Sequence, residues 1–369
     1  MAESKAKALP TYLTRDVFLC VEMTDACDLS CAMCDQALRE TPHGAKRGTM
    51  DPALWRRIID SLDADGVALS GLAPHWLGES MIHPQFPALL DYAFEQNAGN
   101  RVFGFFSMNT NGLTLAGENA EAILRCAART DQAPGSFRQI FVSIDAATAP
   151  TFARIKGKDA LDGVERNVER FIAAQAARRL DFPRVIVKMI VMEENRAEAR
   201  AFLDRWAGVF ARHGRPFQVN YDFFPPFERN AIFFDKLVGG DPAAHERRHR
   251  AVAEELGLVP QETVGRIIVN DEQVGTGRRR PCPALWKTPM VRWDGTLTVC
   301  CNDTQMALNL GNLASEGFVP LWTGSKAEAL RDAHLAGRFG MDPCTGCLNQ
   351  RFPTISDEEI EVYLRERRR

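Results

Sequence analysis

Three cysteines lie within eight residues near the start of the chain, at Cys27, Cys31 and Cys34, with the spacing C-x-x-x-C-x-x-C. A segment this short has to fold as one loop that brings the three thiols together. Three thiolates can ligate three irons of a 4Fe-4S cluster, whereas such clusters are usually held by four cysteines. The fourth iron would be open to a small molecule that can accept an electron. The missing ligand therefore indicates chemistry rather than structure.

Structural zinc and disulfides are the alternatives for these thiols. Structural zinc is normally coordinated by four protein ligands with no open position, and no nearby histidine or fourth cysteine completes such a set in this loop. Disulfides need an oxidising compartment, and residues 1–7 lack the apolar stretch of a secretion signal. Ten cysteines in a cytosolic chain favour metal binding.

Composition sets broad limits on the protein. With 369 residues, 45% of them apolar, the chain can form one large domain and a smaller one. A net charge of −3 and a pI of about 6.2 do not favour nucleic acid as a partner. No apolar run approaches the roughly 18 residues that span a bilayer. We therefore expect a cytoplasmic protein with neither a nucleic-acid nor a membrane partner.

Short β-rich runs alternate with helical patterns over residues 17–224. Leu54, Ile58 and Leu62, for example, recur at the spacing of an amphipathic helix. This alternation predicts a parallel sheet with intervening helices. Reactive groups in such folds gather beyond the carboxyl ends of the strands, where the cysteine loop would lie. The candidate strands are Val17–Met23, Gly66–Ser70, Arg101–Met108, Gln139–Ile144, Arg184–Met192 and Phe217–Phe224.

The cysteine spacing and its place after the first strand resemble the radical S-adenosylmethionine (SAM) superfamily. The resemblance implies an α/β fold with a partial (β/α)6 TIM-like barrel. It also implies that Cys27, Cys31 and Cys34 ligate a 4Fe-4S cluster whose open iron chelates SAM. An electron from this cluster would cleave SAM to a 5'-deoxyadenosyl radical. An external reductant such as flavodoxin or ferredoxin would supply that electron.

Further residues match the SAM pocket of this family. Gly78 and Glu79 resemble its Gly-Gly-Glu-Pro segment, which receives the SAM ammonium, although Leu77 and Ser80 depart from it. The remaining candidates lie on the cysteine loop or after later strands, and taken alone they read as turn, cap or gap-filling residues. They are Met33 for the adenosyl group, Asn109 and Ser143 for the ribose and carboxylate, and Lys156 or Arg154 for the carboxylate.

A second cysteine set lies in the C-terminal third, at Cys282, Cys300, Cys344 and Cys347. The run Val291–Val299 predicts a β-hairpin with an Asp-Gly turn that delivers Cys300 at its end. The set resembles the Twitch domain, the short relative of the SPASM domain. The resemblance implies one auxiliary 4Fe-4S cluster with all four ligands from protein. A four-cysteine zinc site is the alternative.

The chain then divides into five segments. We expect a charged helix around residues 245–256 and a short strand near residues 267–269 in the segment that bridges the two cysteine domains. The basic run Arg278-Arg279-Arg280 is either a solvated face or an anchor for a substrate phosphate or carboxylate. The segments are an N-terminal extension (1–15), the barrel (16–230), the bridge (231–280), the Twitch/SPASM-like domain with its β-hairpin and helix (281–355) and a C-terminal helix or tail (356–369).

The predicted reaction is the oxidation of a small polar, carbohydrate-like or aminocyclitol-like metabolite. A fully ligated auxiliary cluster can accept an electron from a substrate radical, and Twitch-bearing relatives include dehydrogenases of this kind. A base must take the hydroxyl proton, and the carboxylate candidates are Asp222, Glu228 and Asp303. Cys301 is either a small hydrophobic neighbour or a hydrogen-atom donor or acid/base group.

Two other classes of function stay open at the level of sequence. The first is a maturase that crosslinks, epimerises or oxidises a ribosomally made peptide substrate. The second is a non-catalytic iron-sulfur or zinc protein, against which the Gly78-Glu79 pair counts.

Overall fold

The computed structural model describes residues 17–34, 47–99, 101–130, 137–221, 228–237, 240–258, 279–345, 347 and 355–367. Predicted features at residues 1–15 and 267–269, at Arg278 and at Asp222 lie outside this part of the chain. None of the described helices is long and apolar enough to cross a membrane.

The described elements alternate between strands and helices up to residue 212, continue with two strands and a helix up to residue 255, and end with a short hairpin domain and its helices. The strands are β1 Phe18–Val21, β2 Leu69–Ala73, β3 Phe103–Thr110, β4 Phe137–Ser143, β5 Arg184–Val191, β6 Phe217–Asn220, β7 Asn230–Lys236, β8 Met290–Val291, β9 Thr296–Thr298 and β10 Gly311–Asn312. The α-helices are α1 Pro52–Ala64, α2 Phe86–Gln96, α3 Gly117–Arg129, α4 Ala149–Lys156, α5 Leu161–Ala177, α6 Ala199–Arg212, α7 Pro242–Glu255, α8 Ala284–Lys287, α9 Phe318–Trp322, α10 Ser325–Leu335 and α11 Asp357–Arg367.

These strands form one sheet in the order β10-β9-β8-β1-β2-β3-β4-β5-β7-β6. Neighbours from β1 to β7 and β6 are parallel, which confirms the α/β expectation. Because all these strands run the same way, their carboxyl ends lie at one edge. The loops that follow β1, β2, β3 and β4 therefore converge there, as in other parallel α/β folds.

The helices pack on one face of this sheet because their apolar residues recur on one side. Helix α1 starts at Asp51, whose carboxylate accepts the Ala53 N–H at 2.8 Å, and it buries Trp55, Ile58 and Leu62. The β5 side chains on the face of the sheet toward the helices, such as Val187, belong to the same apolar core as these helical residues.

Two strand predictions need correction. The second strand begins at Leu69 rather than at Gly66, because Gly66 has a φ of +65° and closes the turn after α1. The segment assigned to a bridge from residue 231 begins inside a barrel strand, since β7 lies between β5 and β6. Every β7 residue from Asn230 to Asp235 is buried, as expected for a strand with a neighbour on each side. The predicted charged helix is α7.

The predicted hairpin before Cys300 is present as β8 and β9, which pair antiparallel around Gly295 with a φ of +88°. The sequence did not predict that β8 would pair in parallel with β1. The hairpin of the C-terminal domain thus extends the sheet of the barrel. A helix, α11, follows in the segment expected to be a helix or tail.

Candidate functional site

The three-cysteine loop follows β1 and rests against the end of helix α4. The Ser30 N–H donates to the Lys156 carbonyl at 3.0 Å, and the Ala32 N–H donates to the Ile155 carbonyl at 2.8 Å. Gly157 ends α4 with a φ of +73°, and a Cβ there would lie 2.8 Å from the Ser30 carbonyl oxygen. Glycine is therefore required both by the backbone conformation and by the close approach of the loop.

Gly78 and Glu79 lie directly beside this loop. A Cβ on Gly78 would lie 2.1 Å from the Thr24 carbonyl oxygen, so only glycine permits this packing. The Glu79 N–H donates to the Ala26 carbonyl at 2.9 Å, which fixes the segment one residue before Cys27. The sequence-predicted pair is thus brought to the cysteine loop.

The Glu79 carboxylate is buried and receives three kinds of donor. The Asn111 N–H donates to it at 2.8 Å, the Thr110 hydroxyl at 3.1 Å and the Met81 N–H at 3.3 Å. Burial nevertheless raises the pKa of Glu79 to about 7, against the lowering effect of these hydrogen bonds. A cation bound beside Glu79, such as an ammonium group, would offset this cost of desolvation.

Asn111 is a site residue that the sequence reasoning missed. Its Nδ2 donates to the Asp28 carboxylate at 2.7 Å and lies 3.8 Å from Cys27 Sγ. The chosen candidate, Asn109, is exposed at the same strand end, and its N–H donates to His75 Nδ1 at 3.3 Å. The run Met108-Asn109-Thr110-Asn111-Gly112 offered both asparagines, and only the tertiary contacts separate them.

Lys156 is buried and paired, whereas its alternative Arg154 is exposed. Lys156 Nζ lies 2.5 Å from Asp145 Oδ2, and Arg154 donates to the Thr151 hydroxyl at 3.1 Å. Burial alone would lower the pKa of the Lys156 ammonium, but the negative charges of Asp145 and of a nearby Cys31 thiolate raise it. Lys156 thus holds a positive charge beside the cysteine loop. Its contact with a SAM carboxylate stays a prediction.

The other two predicted SAM contacts lie at the same edge. Met33 is half-buried on the cysteine loop itself, and Ser143 is half-buried as the last residue of β4. Their roles toward SAM also stay predictions.

The second cysteine set is gathered from three separate segments. Cys282 precedes α8, Cys300 follows β9, and Cys344 and Cys347 lie after α10. Burial raises the pKa of Cys282 to about 12, and the thiols of Cys300, Cys347 and Cys344 add to the shift. The four thiols are therefore near one another although up to 64 residues separate them in the sequence.

Polar groups surround these four thiols. The Asn302 N–H donates to Cys300 Sγ at 3.3 Å, and Asn302 Nδ2 lies 3.9 Å from Cys347 Sγ. Arg279 Nη1 donates to the Cys344 carbonyl at 2.7 Å, so one arginine of the predicted basic run supports this site. Arg280 pairs with Asp357 at 2.7 Å. Both described arginines of the basic run, Arg279 and Arg280, therefore bind groups within the C-terminal part of the chain. Their contacts hold this region together and do not indicate a binding site for a substrate anion.

The structure separates the candidates for catalysis. Asp303 accepts the Thr298 hydroxyl at 2.5 Å and the N–H groups of Ala307 and Leu308 at 2.7 and 2.9 Å, so it closes its own loop. This internal use conflicts with a role as proton acceptor for substrate. Glu228 lies just before β7, at the end of the sheet opposite the cysteine loop. Asp222 lies outside the described residues.

Cys301 lies beside the auxiliary site and faces the barrel. Its side chain packs against the small cluster of Cys20, Ala73 and Met290, together with Trp76. Trp76 Nε1 donates to the Cys301 carbonyl at 2.9 Å. Cys301 therefore lies between the auxiliary cysteine Cys300 and Trp76, which precedes the Gly78-Glu79 segment, and a catalytic role for it stays a prediction.

Two buried carboxylates join the two cysteine regions. Glu22 accepts the Leu77 N–H at 3.1 Å and the Trp293 N–H at 3.3 Å, which links the Gly78-Glu79 segment to the C-terminal hairpin. Asp25 accepts the Trp293 indole N–H at 3.1 Å and pairs with Arg292 at 3.4 Å. The loop that carries Cys27 is thus fixed to the auxiliary domain.

The face of the sheet away from the helices has an apolar floor and a polar edge. We call it the inner face. Its floor is the cluster of Phe141, Ile186, Ala231 and Phe233. Toward the carboxyl edge, Lys188 Nζ on β5 lies 3.5 Å from Asp235 Oδ2 on β7, and both side chains are largely buried.

His75 extends this polar edge toward the loop after β2. It accepts the Asn109 N–H at Nδ1. Burial, with a further contribution from the Lys188 cation, lowers the pKa of His75 to about 4. His75 is therefore neutral at neutral pH.

Comparisons with known proteins agree with this arrangement. Residues 282–348 match the family model of an iron-sulfur cluster-binding domain, SPASM. SuiB of Streptococcus suis bound to S-adenosylmethionine is similar in structure, with 12% identity, a TM-score of 0.55 and coverage of 86% of this chain and 68% of SuiB. So is anSMEcpe with bound AdoMet, with 14% identity, a TM-score of 0.56 and coverage of 94% and 95%.

Residues 282–348 are therefore a SPASM iron-sulfur cluster-binding domain, and the chain shares its fold with these AdoMet-bound structures. BtrN, in complex with AdoMet and 2-DOIA, covers 90% of the chain and 93% of its own length at 15% identity and a TM-score of 0.49. No curated protein matches the sequence. The SPASM match indicates an iron-sulfur cluster in the C-terminal domain, and the cofactors predicted from the sequence are SAM and two 4Fe-4S clusters.

The residues present fit these cofactors. The N-terminal loop offers three thiols beside the Lys156 ammonium, and the SPASM domain offers four thiols and no histidine ligand in its set. Within the described residues, no three Cys, His, Asp or Glu side chains converge on the position of a single metal ion. We assign Cys27, Cys31 and Cys34 to the SAM-binding cluster and Cys282, Cys300, Cys344 and Cys347 to the auxiliary cluster as proposals.

Proposed function

We propose that this chain is a radical SAM enzyme that oxidises an alcohol of a small polar, carbohydrate-like or aminocyclitol-like metabolite. Reductive cleavage of SAM would supply a 5'-deoxyadenosyl radical, which abstracts a hydrogen atom from the substrate. An external reductant such as flavodoxin or ferredoxin would supply the electron for that cleavage. The enzyme's own residues would position SAM and substrate and exclude water.

The observation that supports this proposal is a direct contact between the segment beside the N-terminal cysteine loop and the auxiliary cysteine region. Trp76 lies two residues before Gly78 and donates its indole N–H to the Cys301 carbonyl at 2.9 Å, and Cys301 follows Cys300 directly. The segment beside the SAM-binding loop therefore touches the backbone next to an auxiliary ligand. This proximity suits the transfer of an electron from a substrate radical to the auxiliary cluster.

Four protein thiols favour electron transfer over substrate ligation at the auxiliary site. A cluster with every iron ligated by cysteine has no open position for substrate unless it loses a ligand. It can still accept an electron. Together with hydrogen-atom abstraction, this gives a net two-electron oxidation, such as alcohol to ketone.

The inner face supports a polar substrate. Lys188 and Asp235 are two charged side chains held largely out of solvent beside an apolar floor. Burial of charged groups is costly unless they are paired or bind a ligand. A compact substrate that carries hydroxyl groups would satisfy both groups at once.

A peptide substrate is the second candidate. SuiB has been determined bound to its precursor peptide SuiA, and anSMEcpe with a Cp18Cys peptide, at TM-scores of 0.56 and 0.53 to this chain. A maturase would use the same radical chemistry on a peptide Cα or Cβ position. The two candidates differ in the source of the abstracted hydrogen.

The test is anaerobic incubation of the reconstituted enzyme with SAM, dithionite and carbon-deuterated substrates. We expect 5'-deoxyadenosine that contains deuterium from an aminocyclitol or sugar, together with a ketone product, both measured by mass spectrometry. Deuterium transfer from a labelled peptide alone would favour the maturase. No 5'-deoxyadenosine above that of a Cys34→Ala control with any substrate would refute the enzyme proposal.

A further inference from the structure

We propose that Asp235 is the catalytic proton acceptor for the substrate hydroxyl and that Lys188 holds the hydroxyl oxygen. This inference rests on the proposed oxidation of an alcohol and supplies the base that the sequence could not identify. The ligand class is a polyol or aminocyclitol hydroxyl group. Asp235 and Lys188 would bind one such group between them.

Strand register places the two residues on the inner face. Lys188 of β5 pairs with Phe233 of β7, a member of the apolar floor, and Ser143 of β4 pairs with Lys188. Residues two apart on a strand face the same side, so Asp235 follows Phe233 on the inner face, one step nearer the carboxyl edge. That edge also carries the loops with Cys27 and Glu79.

The hydrogen-bonding capacity of the pair is only partly used among the described residues. Lys188 Nζ makes one contact there, the 3.5 Å approach to Asp235 Oδ2, which is longer than a normal hydrogen bond. Asp235 Oδ1 accepts the N–H of Lys236 at 2.8 Å. A hydroxyl between Nζ and Oδ2 would accept from Lys188 and donate to Asp235, which suits both side chains.

The other titratable groups considered, His75, Asp303 and Glu228, are less suited than Asp235 to accept the proton. His75, which approaches Lys188, is neutral and has its Nδ1 occupied by the Asn109 N–H, so it offers a donor rather than an acceptor. Of the carboxylates first considered, Asp303 is saturated by its own loop and Glu228 lies at the opposite end of the sheet. Asp235 is a carboxylate at the right edge with an acceptor oxygen toward the inner face.

The step balances in atoms and electrons. The carbinol carbon loses its hydrogen atom to the 5'-deoxyadenosyl radical, and the hydroxyl oxygen loses its proton to the Asp235 carboxylate. The electron that remains on the substrate passes to the oxidised auxiliary cluster. A carbonyl group, 5'-deoxyadenosine, a protonated Asp235 and a reduced cluster result.

The experiment uses the full, reconstituted chain with SAM and two probes, myo-inositol and 2-deoxystreptamine, each deuterated at carbon. Two quantities are measured: the binding of each probe by equilibrium dialysis, and the ratio of deuterated 5'-deoxyadenosine to ketone. We expect the wild type to bind at least one probe and to give a ratio near one. Iron content and circular dichroism establish that each variant is folded.

The Asp235→Asn variant should still abstract the substrate hydrogen atom but should form little ketone. We expect the ratio of 5'-deoxyadenosine to ketone to rise at least about tenfold, because a positioned base typically contributes a factor of about 100 or more to its step. Asp235→Glu should restore the ratio partly. Lys188→Gln should weaken probe binding about 10- to 100-fold, as expected for loss of a charged hydrogen bond.

Glu246→Gln is the matched control, because Glu246 pairs with the neighbouring β7 residue Lys236 at 2.6 Å from helix α7. It should leave both binding and the ratio unchanged. An Asp235→Asn enzyme with the wild-type ratio would overturn this inference alone. A wild type that cleaves SAM but neither binds nor oxidises either probe would overturn the polyol assignment. A wild type that forms no 5'-deoxyadenosine would refute the proposed function and this inference with it.

Discussion

The two cysteine regions hold their thiols in different ways. Cys27, Cys31 and Cys34 lie on one loop, which two backbone hydrogen bonds fasten to the end of α4. The auxiliary thiols come from three segments, and the hairpin that carries Cys300 is positioned by pairing of β8 with β1. The first set is local in sequence and offers three thiols, whereas the second set is non-local and offers four. Under the proposed ligand assignment, this difference suits one site to bind a cofactor and the other to move electrons.

Replacement of Cys27, Cys31 and Cys34 together by alanine should have the largest effect. The reconstituted protein should fall from about eight irons to about four, and 5'-deoxyadenosine formation should fall to background, because the open iron is lost. Iron analysis and mass spectrometry check both outcomes. A variant that still cleaved SAM would contradict the division of roles between the two regions.

Replacement of Cys344 and Cys347 by alanine should separate the two sites. We expect loss of about four irons, together with loss of ketone formation, while SAM cleavage falls by less than about tenfold, because the SAM-binding loop keeps its ligands. Cys301→Ser is the matched control and should retain about eight irons. Equal loss of SAM cleavage and ketone would show that the auxiliary site supports the first loop structurally instead.

Gly157→Ala should affect only the N-terminal region. Gly157 and Gly214 both have positive φ, at +73° and +60°, but only Gly157 would place its Cβ against a neighbour, the Ser30 carbonyl oxygen at 2.8 Å. Both substitutions cost about 1 kcal/mol in backbone strain. Gly157→Ala should in addition displace the cysteine loop and shorten the lifetime of its cluster in air by about threefold or more. Equal lifetimes in the two variants, followed by absorbance near 400 nm, would show that this contact is dispensable.

Glu22→Gln tests the link between the regions and should have the smallest effect. Burial raises the pKa of Glu22 to about 7 from an ordinary 4.5, against the lowering effect of the Leu77 N–H. The protonated form is therefore favoured in the folded state. Wild-type stability from this group is present below pH 4.5 and is lost as the pH rises through 7.

The Glu22→Gln variant does not titrate at this position. The wild-type Tm, relative to that of the variant, should therefore fall between pH 5 and pH 8 by a few degrees, or about 3 kcal/mol at most. Thermal unfolding at the two pH values measures this difference. A difference that stays constant, or that increases with pH, would contradict the assigned pKa direction.

Much of the fold could be predicted from local patterns. The alternation of strands and helices predicted the parallel sheet, and the Asp294-Gly295 turn predicted the hairpin that leads to Cys300. The insertion of β7 between β5 and β6 was missed, because strand order depends on pairing between distant segments. Asp235 was missed for the same reason, since its strand was assigned to a bridge.

The candidate site shows the same division. Gly78 and Glu79 were identified from their motif, and the structure places them against the cysteine loop. Asn111 could not be separated from Asn109 by sequence, because both stand at the carboxyl end of the same strand. Asp303 looked like a candidate base until its three internal donors were visible.

The sequence by itself determined the chemistry of the ligands, because thiol number and spacing decide which metal centres a loop can hold. It also determined the alternation of elements, because apolar periodicity is a local property. Only the tertiary structure decided which side chains meet. Register between β5 and β7 places Lys188 beside Asp235, and pairing of β8 with β1 brings Trp293 to Glu22 and Asp25. Those contacts depend on the packing of segments far apart in the chain, which no local pattern encodes.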